Sequence, residues 1–257
     1  METIEEKVTR FRTYNRTMIA AAFSKPNRRH QGIPAKLLLC SVFDSLSIAA
    51  FPNENKVGHR YRKTISEHSG WEHNNRVSLL QLCSVLESHP QLPSSFLTLN
   101  SWAKSEKKKR FSNSNSLLSI NKGLELDPTF EELLDKWPKQ KNKHPETLDR
   151  LSPERFTHKN LLYMYRNKLA HEFRLLGNGA ESPFRVEFKP YYQEVSTVTD
   201  LSSMGGLVST KTWRLVYPIG FFVKIAKNSL ESICIEYNSK GTSPFLNYKE
   251  SDLWLEQ

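Results

Sequence analysis

Cysteine is scarce in this chain: Cys40, Cys83 and Cys234 are the only three in 257 residues, an odd number at wide spacing. Each falls on an apolar helical stripe, which favours buried thiols in a reducing compartment over a disulfide framework. No Cys-x-x-Cys pair and no His-Glu-x-x-His occurs, so a structural zinc signature is lacking. Carboxylates form no cluster suited to a catalytic cation, and the expectation for metals and cofactors is none. No uninterrupted apolar run approaches the roughly 18 residues that a membrane helix needs. Candidates such as Leu37 to Cys40 and Ile219 to Val223 fit buried helix faces. The opening residues, Met1 to Lys7, carry no apolar signal core. These absences lead to the expectation of a cytoplasmic protein with no membrane partner.

What the chain does have is charge. Lysine and arginine number 37 against 27 acids, a net charge of +10 with pI near 9.4. That excess favours a polyanionic partner, nucleic acid before a membrane surface, because no basic amphipathic anchor is present. Hydrophobic residues make up 38% and the mean hydropathy is -0.57, at the polar end of the globular range.

Hydrophobic spacing organises the chain as mainly α. Ile4, Val8, Phe11, Met18, Ile19 and Ala22 recur at helical period, predicting a helix over about 3–23 whose polar side carries Lys7, Arg10, Arg12 and Arg16. A basic loop, 28–32, follows. A second helix is expected from Pro34 to Pro52, rich in small residues that permit close packing, with Asp44 placed to partner a nearby cation. Shorter helices are expected around 57–69 and 76–88. From Pro90 to Arg150 prolines, the Lys107–Arg110 run and the 112–116 serine/asparagine stretch favour loops, apart from a short capped helix near 129–134. Ser152-Pro153-Glu154 starts a helix expected to run through Phe156, Tyr165, Leu169 and Phe173 to Gly177. Alternation at Phe184, Val186 and Phe188, and at Trp213, Leu215 and Tyr217, predicts a β-hairpin with a long loop through Met204-Gly205-Gly206. A last helix is expected from Pro218 to Gly241.

The 152–177 helix carries the candidate chemistry. Asn167 and His171 are four apart and share a face. Arg166 lies about 7.5 Å from His171 along the axis and about 140° around it, within reach of a long side chain. A near-neutral imidazole can take a proton from a ribose 2′-OH or give one to the leaving 5′-oxygen. A guanidinium supplies permanent charge and a planar fork for phosphate oxygens. With the 2′-OH as nucleophile no metal is required, the products are a 2′,3′-cyclic phosphate and a 5′-hydroxyl, and DNA is not cut. The Arg-x4-His spacing is itself uninformative: 15 arginines and 8 histidines in 257 residues give about 0.5 chance matches. Requiring Asn, Asp or His directly after the arginine lowers this to about 0.06, so the weight falls on Asn167.

Arg166-Asn167-Lys168-Leu169-Ala170-His171 resembles the Arg-polar-x3-His signature of the HEPN superfamily, all-α proteins that include many metal-independent ribonucleases of toxin and antiviral-defence systems. The resemblance covers the motif helix and, loosely, the helices at 34–51 and 218–240. It implies a HEPN-like helical bundle over 1–257 with an N-terminal helix (1–30), a loop-rich insertion (91–150) and a β-hairpin insertion (184–217). It further implies catalytic Arg166, Asn167 and His171, and a homodimer with both motifs facing one cleft. Lys159, Lys168 and Arg174 are candidate RNA contacts, and an antitoxin or regulatory protein is a candidate partner. The other reading open at this point is a HEPN-like module that binds RNA or a partner protein without cleaving.

Overall fold

The computed structural model describes residues 2–23, 32–112, 121–173, 179–180, 187–201 and 206–246. Among these the architecture is mainly helical, as expected. The helices are α1 (Ile4–Phe23), α2 (Gly32–Ala50), α3 (Val57–His68), α4 (Leu79–Ser88), α5 (Leu97–Arg110), α6 (Phe130–Lys136), α7 (His158–Glu172) and α8 (Ile219–Lys240). The strands are β1 (Asn121–Gly123), β2 (Gly179–Ala180), β3 (Tyr191–Leu201) and β4 (Gly206–Val216), ordered β1-β3-β4-β2 in one sheet.

Helix α2 is the central element. It packs against α1, α3, α7 and α8, and its Leu39, Cys40, Val42, Phe43, Leu46 and Ala49 are buried. Its composition reaches further than the sequence expectation allowed: the helix has 19 residues and a mean hydropathy of 1.5 over its most apolar 18, long and apolar enough to cross a membrane. Lys36, Asp44 and scattered serines break the apolar run, yet the average stays high. Packing on four helices gives that apolar surface a place in the core. The polar side of α1 is held by ion pairs, with Arg12 and Arg16 sharing Glu231 of α8 at 3.2 and 2.7 Å. All three cysteines are free and buried.

Three expectations need correction. The 91–150 segment is not predominantly loop. It holds α5, which lies on α4 and buries Leu99 and Ala103, and also β1 and α6. The Lys107–Arg110 run is therefore the last turn of a helix. Lysine, glutamate and alanine are good helix formers, and here two apolar anchors at i and i+4 suffice because α4 covers them. Helix α7 begins at His158, because Ser152-Pro153 opens a 3-10 turn (Pro153–Phe156) rather than the helix itself. It ends at Phe173, which adopts a left-handed conformation (φ 52°) and is 67% exposed instead of continuing the apolar stripe. Lastly, the hairpin runs from Tyr191 to Val216, in register from Tyr191↔Val216 to Leu201↔Gly206, so its strands are longer and its connection shorter than expected. Phe188 precedes it; Phe184, Val186, Gly177, Met204, Gly205, residues 113–116 of the 112–116 stretch and residues 28–31 of the segment read as a basic loop lie outside the described residues, and Gly32, the last of that segment, opens α2.

A buried polar hub ties these parts together. Asp127 is fully buried and accepts from Tyr192 of β3 (Oη–Oδ2, 2.7 Å) and from the backbone N–H of Leu79 in α4 (3.0 Å); its Oδ2 also lies 2.7 Å from Nε2 of buried His158 in α7. The Tyr192 oxygen in turn accepts from the hydroxyl of Ser78, the N-cap of α4 (2.9 Å). Satisfied this way, the buried carboxylate orders the start of α7 against α4 and the base of the hairpin.

Candidate active site

Leu161, Leu162, Tyr165 and Leu169 form the buried stripe of α7, and this fixes the rotation of the helix. Tyr165 is 2% exposed and accepts from Lys36 Nζ of α2 (3.0 Å), so it belongs to the core and offers no stacking surface. Tyr163 packs on Tyr61 of α3 (ring centroids 5.5 Å) and carries Arg62 over its face at 5.4 Å. Gly58 makes that approach possible, since a Cβ there would sit 2.8 Å from the Tyr163 ring.

The rotation puts Arg166 at the edge of the stripe, opposite Asp44 of α2. Arg166 donates Nε–H to Asp44 Oδ2 at 2.9 Å and Nη2–H to the same oxygen; Nη1–H goes to Asn167 Oδ1 at 2.9 Å. Asp44 is thus joined to a cation, as the sequence suggested, and the cation is Arg166. Both side chains are about four-fifths buried, with 19% and 20% of their surface exposed. Burial opposes the charge on Arg166, but the hydrogen bonds and charge of Asp44 more than offset it, so the guanidinium is held protonated more firmly than usual. For Asp44, burial raises the carboxyl above its ordinary value while Arg166 and Arg60 pull it back. Beneath the pair, burial pushes the Cys40 thiol up to about 12 and raises the Tyr61 hydroxyl well above its usual value, which leaves Arg166 above neutral groups.

Five N–H groups belong to a guanidinium. Three are committed here, leaving one each on Nη1 and Nη2 for an incoming oxygen. His171 lies in the last turn of α7, exposed, and makes no hydrogen bond or ion pair to a described residue. With Arg166 anchored to α2, the 140° between the two positions separates arginine and imidazole within one copy of the chain.

The candidate RNA contacts divide. Lys168 is ion-paired with Glu172 one turn on. Arg174 lies outside the described residues. Lys159, at the opposite end of α7 from His171, donates to Ser66 of α3 (3.3 Å) and lines a groove with Arg62, Lys63, Arg150 and Arg155. Those four cations escaped the sequence reading because α3, a turn and the 3-10 segment bring them together from 93 residues of separation. Among the described residues no three His, Cys, Asp or Glu side chains converge where they could hold a metal ion. Compared with protein-family models, curated proteins and solved structures, the chain matches none.

Proposed function

We propose that this chain is a metal-independent endoribonuclease of HEPN type, acting in the cytoplasm as a toxin or antiviral-defence effector. The observation that carries the reading is the Arg166 guanidinium, clamped by Asp44 and Asn167 with two N–H groups to spare, on the helix whose last turn presents His171. His171 as base takes the 2′-OH proton, the 2′-oxygen bonds to phosphorus, and the P–O5′ bond breaks. An imidazolium returns a proton to the departing 5′-oxygen, and Arg166 stabilises the charge that builds on the phosphoryl oxygens. Arginine and imidazole lie on different sides of α7, so the reading assigns a homodimer in which one copy's Arg166 and the other's His171 meet at one phosphate. An antitoxin or regulatory partner would restrain it.

Purified protein is expected to cleave RNA in EDTA, leaving 2′,3′-cyclic phosphate ends. General acid–base catalysis is worth about 10²–10⁴-fold, so His171→Ala should lower cleavage at least 100-fold with the fold intact by circular dichroism. Unchanged cleavage by His171→Ala sinks the proposal, and a monomer by light scattering removes its composite site.

One observation favours a second reading. The Asp44–Arg166 pair is also what two helices would use simply to hold their register. On that reading the chain binds RNA or a partner protein, with salt-sensitive affinity and no cleavage under any condition.

A further inference from the structure

Between α3, the 148–151 turn and the start of α7 lies a groove of about 920 Å³. Five cations line it: Arg62 and Lys63 from α3, Arg150 from the turn, Arg155 from the 3-10 segment and Lys159 from α7. Some cations elsewhere on the surface meet carboxylates, as Arg16 meets Glu231 at 2.7 Å and Arg110 meets Glu106 at 2.6 Å. Among the described residues none of the groove's five is ion-paired. Three acids share the lining, but Asp149 is engaged with His89 (2.9 Å), and neither Glu67 nor Glu154 bridges to a groove cation. Arg62 lies over Tyr163, Lys63 over Phe51, and Lys159 has a serine hydroxyl.

The cations also crowd one another. Burial lowers Lys159 and Arg62 from their usual values; the charge of Arg62 lowers Lys159 further while Glu154 raises it, and for Arg62 Tyr163 raises the value while Arg155 lowers it. Arg150 is presented from a turn in which two successive L-residues, Asp149 (φ 48°) and Arg150 (φ 66°), take the left-handed conformation, closed by hydrogen bonds between Leu148 and Leu151. Unpaired cations converging in a half-buried groove are relieved by an anion with several charges, spaced along a chain.

We infer that this groove binds the phosphate backbone of a single RNA strand and leads it to Arg166. Lys159 and Arg166 are seven residues apart on α7, within about 20° of the same face and about 10.5 Å along the axis. Tyr163 lies between them, its ring supporting Arg62. A strand seated on Lys159, Arg155 and Arg62 therefore continues over Tyr163 to the clamped guanidinium a few nucleotides away. The direction of that path rests on the ribonuclease reading; the groove's affinity for phosphates does not.

The test uses the full chain carrying His171→Ala, so that bound RNA persists, titrated with a labelled single-stranded oligoribonucleotide at several KCl concentrations. For single strands log K falls with log salt by about 0.7 per neutralised phosphate. Replacing Arg62, Arg155 and Lys159 with Gln should reduce the slope by about 2 and weaken binding about 100-fold at 0.1 M salt. Since Arg62 packs on Tyr163, the pair Lys63→Gln and Arg150→Gln, both exposed, serves as a second variant, expected to lower the slope by about 1.4. Lys104, Lys108 and Lys109→Gln on α5 should leave the slope unchanged. An oligodeoxyribonucleotide should bind within a few-fold, because phosphates are what the groove reads. An unchanged slope in both groove variants, or an equal loss in the α5 control, overturns the inference. So does loss of binding to polyglutamate alone, which would assign the groove to an acidic protein. Cleavage in the His171-containing protein is scored separately: RNA bound through the groove but never cut keeps the groove and removes the ribonuclease.

Discussion

Whether Asp44 positions Arg166 can be decided by a double-mutant cycle with Asp44→Asn and Arg166→Gln. Exposed ion pairs are worth about 0–1 kcal/mol, whereas removing one partner of a buried pair costs about 3–5 kcal/mol. With 19% and 20% of the two side chains exposed, the pair lies nearer the buried limit, less the share that solvent screens. A coupling of about 2 kcal/mol is therefore expected from urea melts of the four proteins. The single variants should differ. Arg166→Gln leaves a carboxylate whose charge burial already opposes, while Asp44→Asn keeps the shape and an acceptor oxygen for Nε. Arg166→Gln should thus be the more destabilised of the two. In RNA cleavage, Asp44→Asn frees the guanidinium to swing, and misplacement of about 1 Å costs on the order of 100-fold, so kcat should fall 10–100-fold with a smaller change in KM. A coupling below about 0.5 kcal/mol would refute the clamp. Parent-like cleavage by Asp44→Asn beside inactive Arg166→Gln would refute its positioning role while leaving Arg166 itself in the site.

Asp127→Ala leaves His158, the Tyr192 hydroxyl and the Leu79 N–H without their acceptor in a fully buried site. A loss of about 3–5 kcal/mol is expected in denaturant melts, and a loss under about 1 kcal/mol would mean that the hub is not dry. Phe173→Gly should stabilise by about 0.5–1 kcal/mol, because the left-handed conformation strains an L-residue and the ring is mostly exposed; destabilisation would show that the ring is covered. Burial lowers His68 below its usual 6.5, and burial with Arg76 lowers His73. The unfolded chain then takes up these protons first, so stability is full above pH 6.5 and declines as pH falls through 6.5 toward the folded values. Urea midpoints of His68→Gln/His73→Gln should decline less over that window than the parent's, and parallel curves would contradict the assignment.

Where the fold was legible, a strong apolar period lay along one element. The stripes of α1, α2 and α8 each have four or more large apolar residues at helical spacing, and Pro218 and Gly241 mark the two ends of α8. Legibility failed where burial is supplied by a neighbour. Leu99 and Ala103 are too few to outweigh a lysine run, yet α4 covers them and α5 forms. Ser152-Pro153-Glu154 has the composition of a helix start. However, Thr157 and buried His158, bound through the backbone to Arg76 and through its ring to Asp127, set the axis of α7 four residues later. Helix ends follow local capping, but the direction of a helix follows its tertiary anchors.

The site divides along the same line. Arg166, Asn167 and His171 sit on one helix, so their spacing was readable, as was the need of Asp44 for some cation. What could not be read is that the two answer each other across 122 residues. That contact changes the meaning of the motif. A free arginine could swing toward its own His171 and complete a site within one chain. An arginine held by both Nε and Nη2 on α2 cannot, because turning toward His171 would break two charge-assisted hydrogen bonds and leave a buried carboxylate unpaired. On the ribonuclease reading proposed above, the imidazole that serves this arginine comes from a second copy, and mixing Arg166→Ala with His171→Ala protein should restore cleavage that neither variant shows alone.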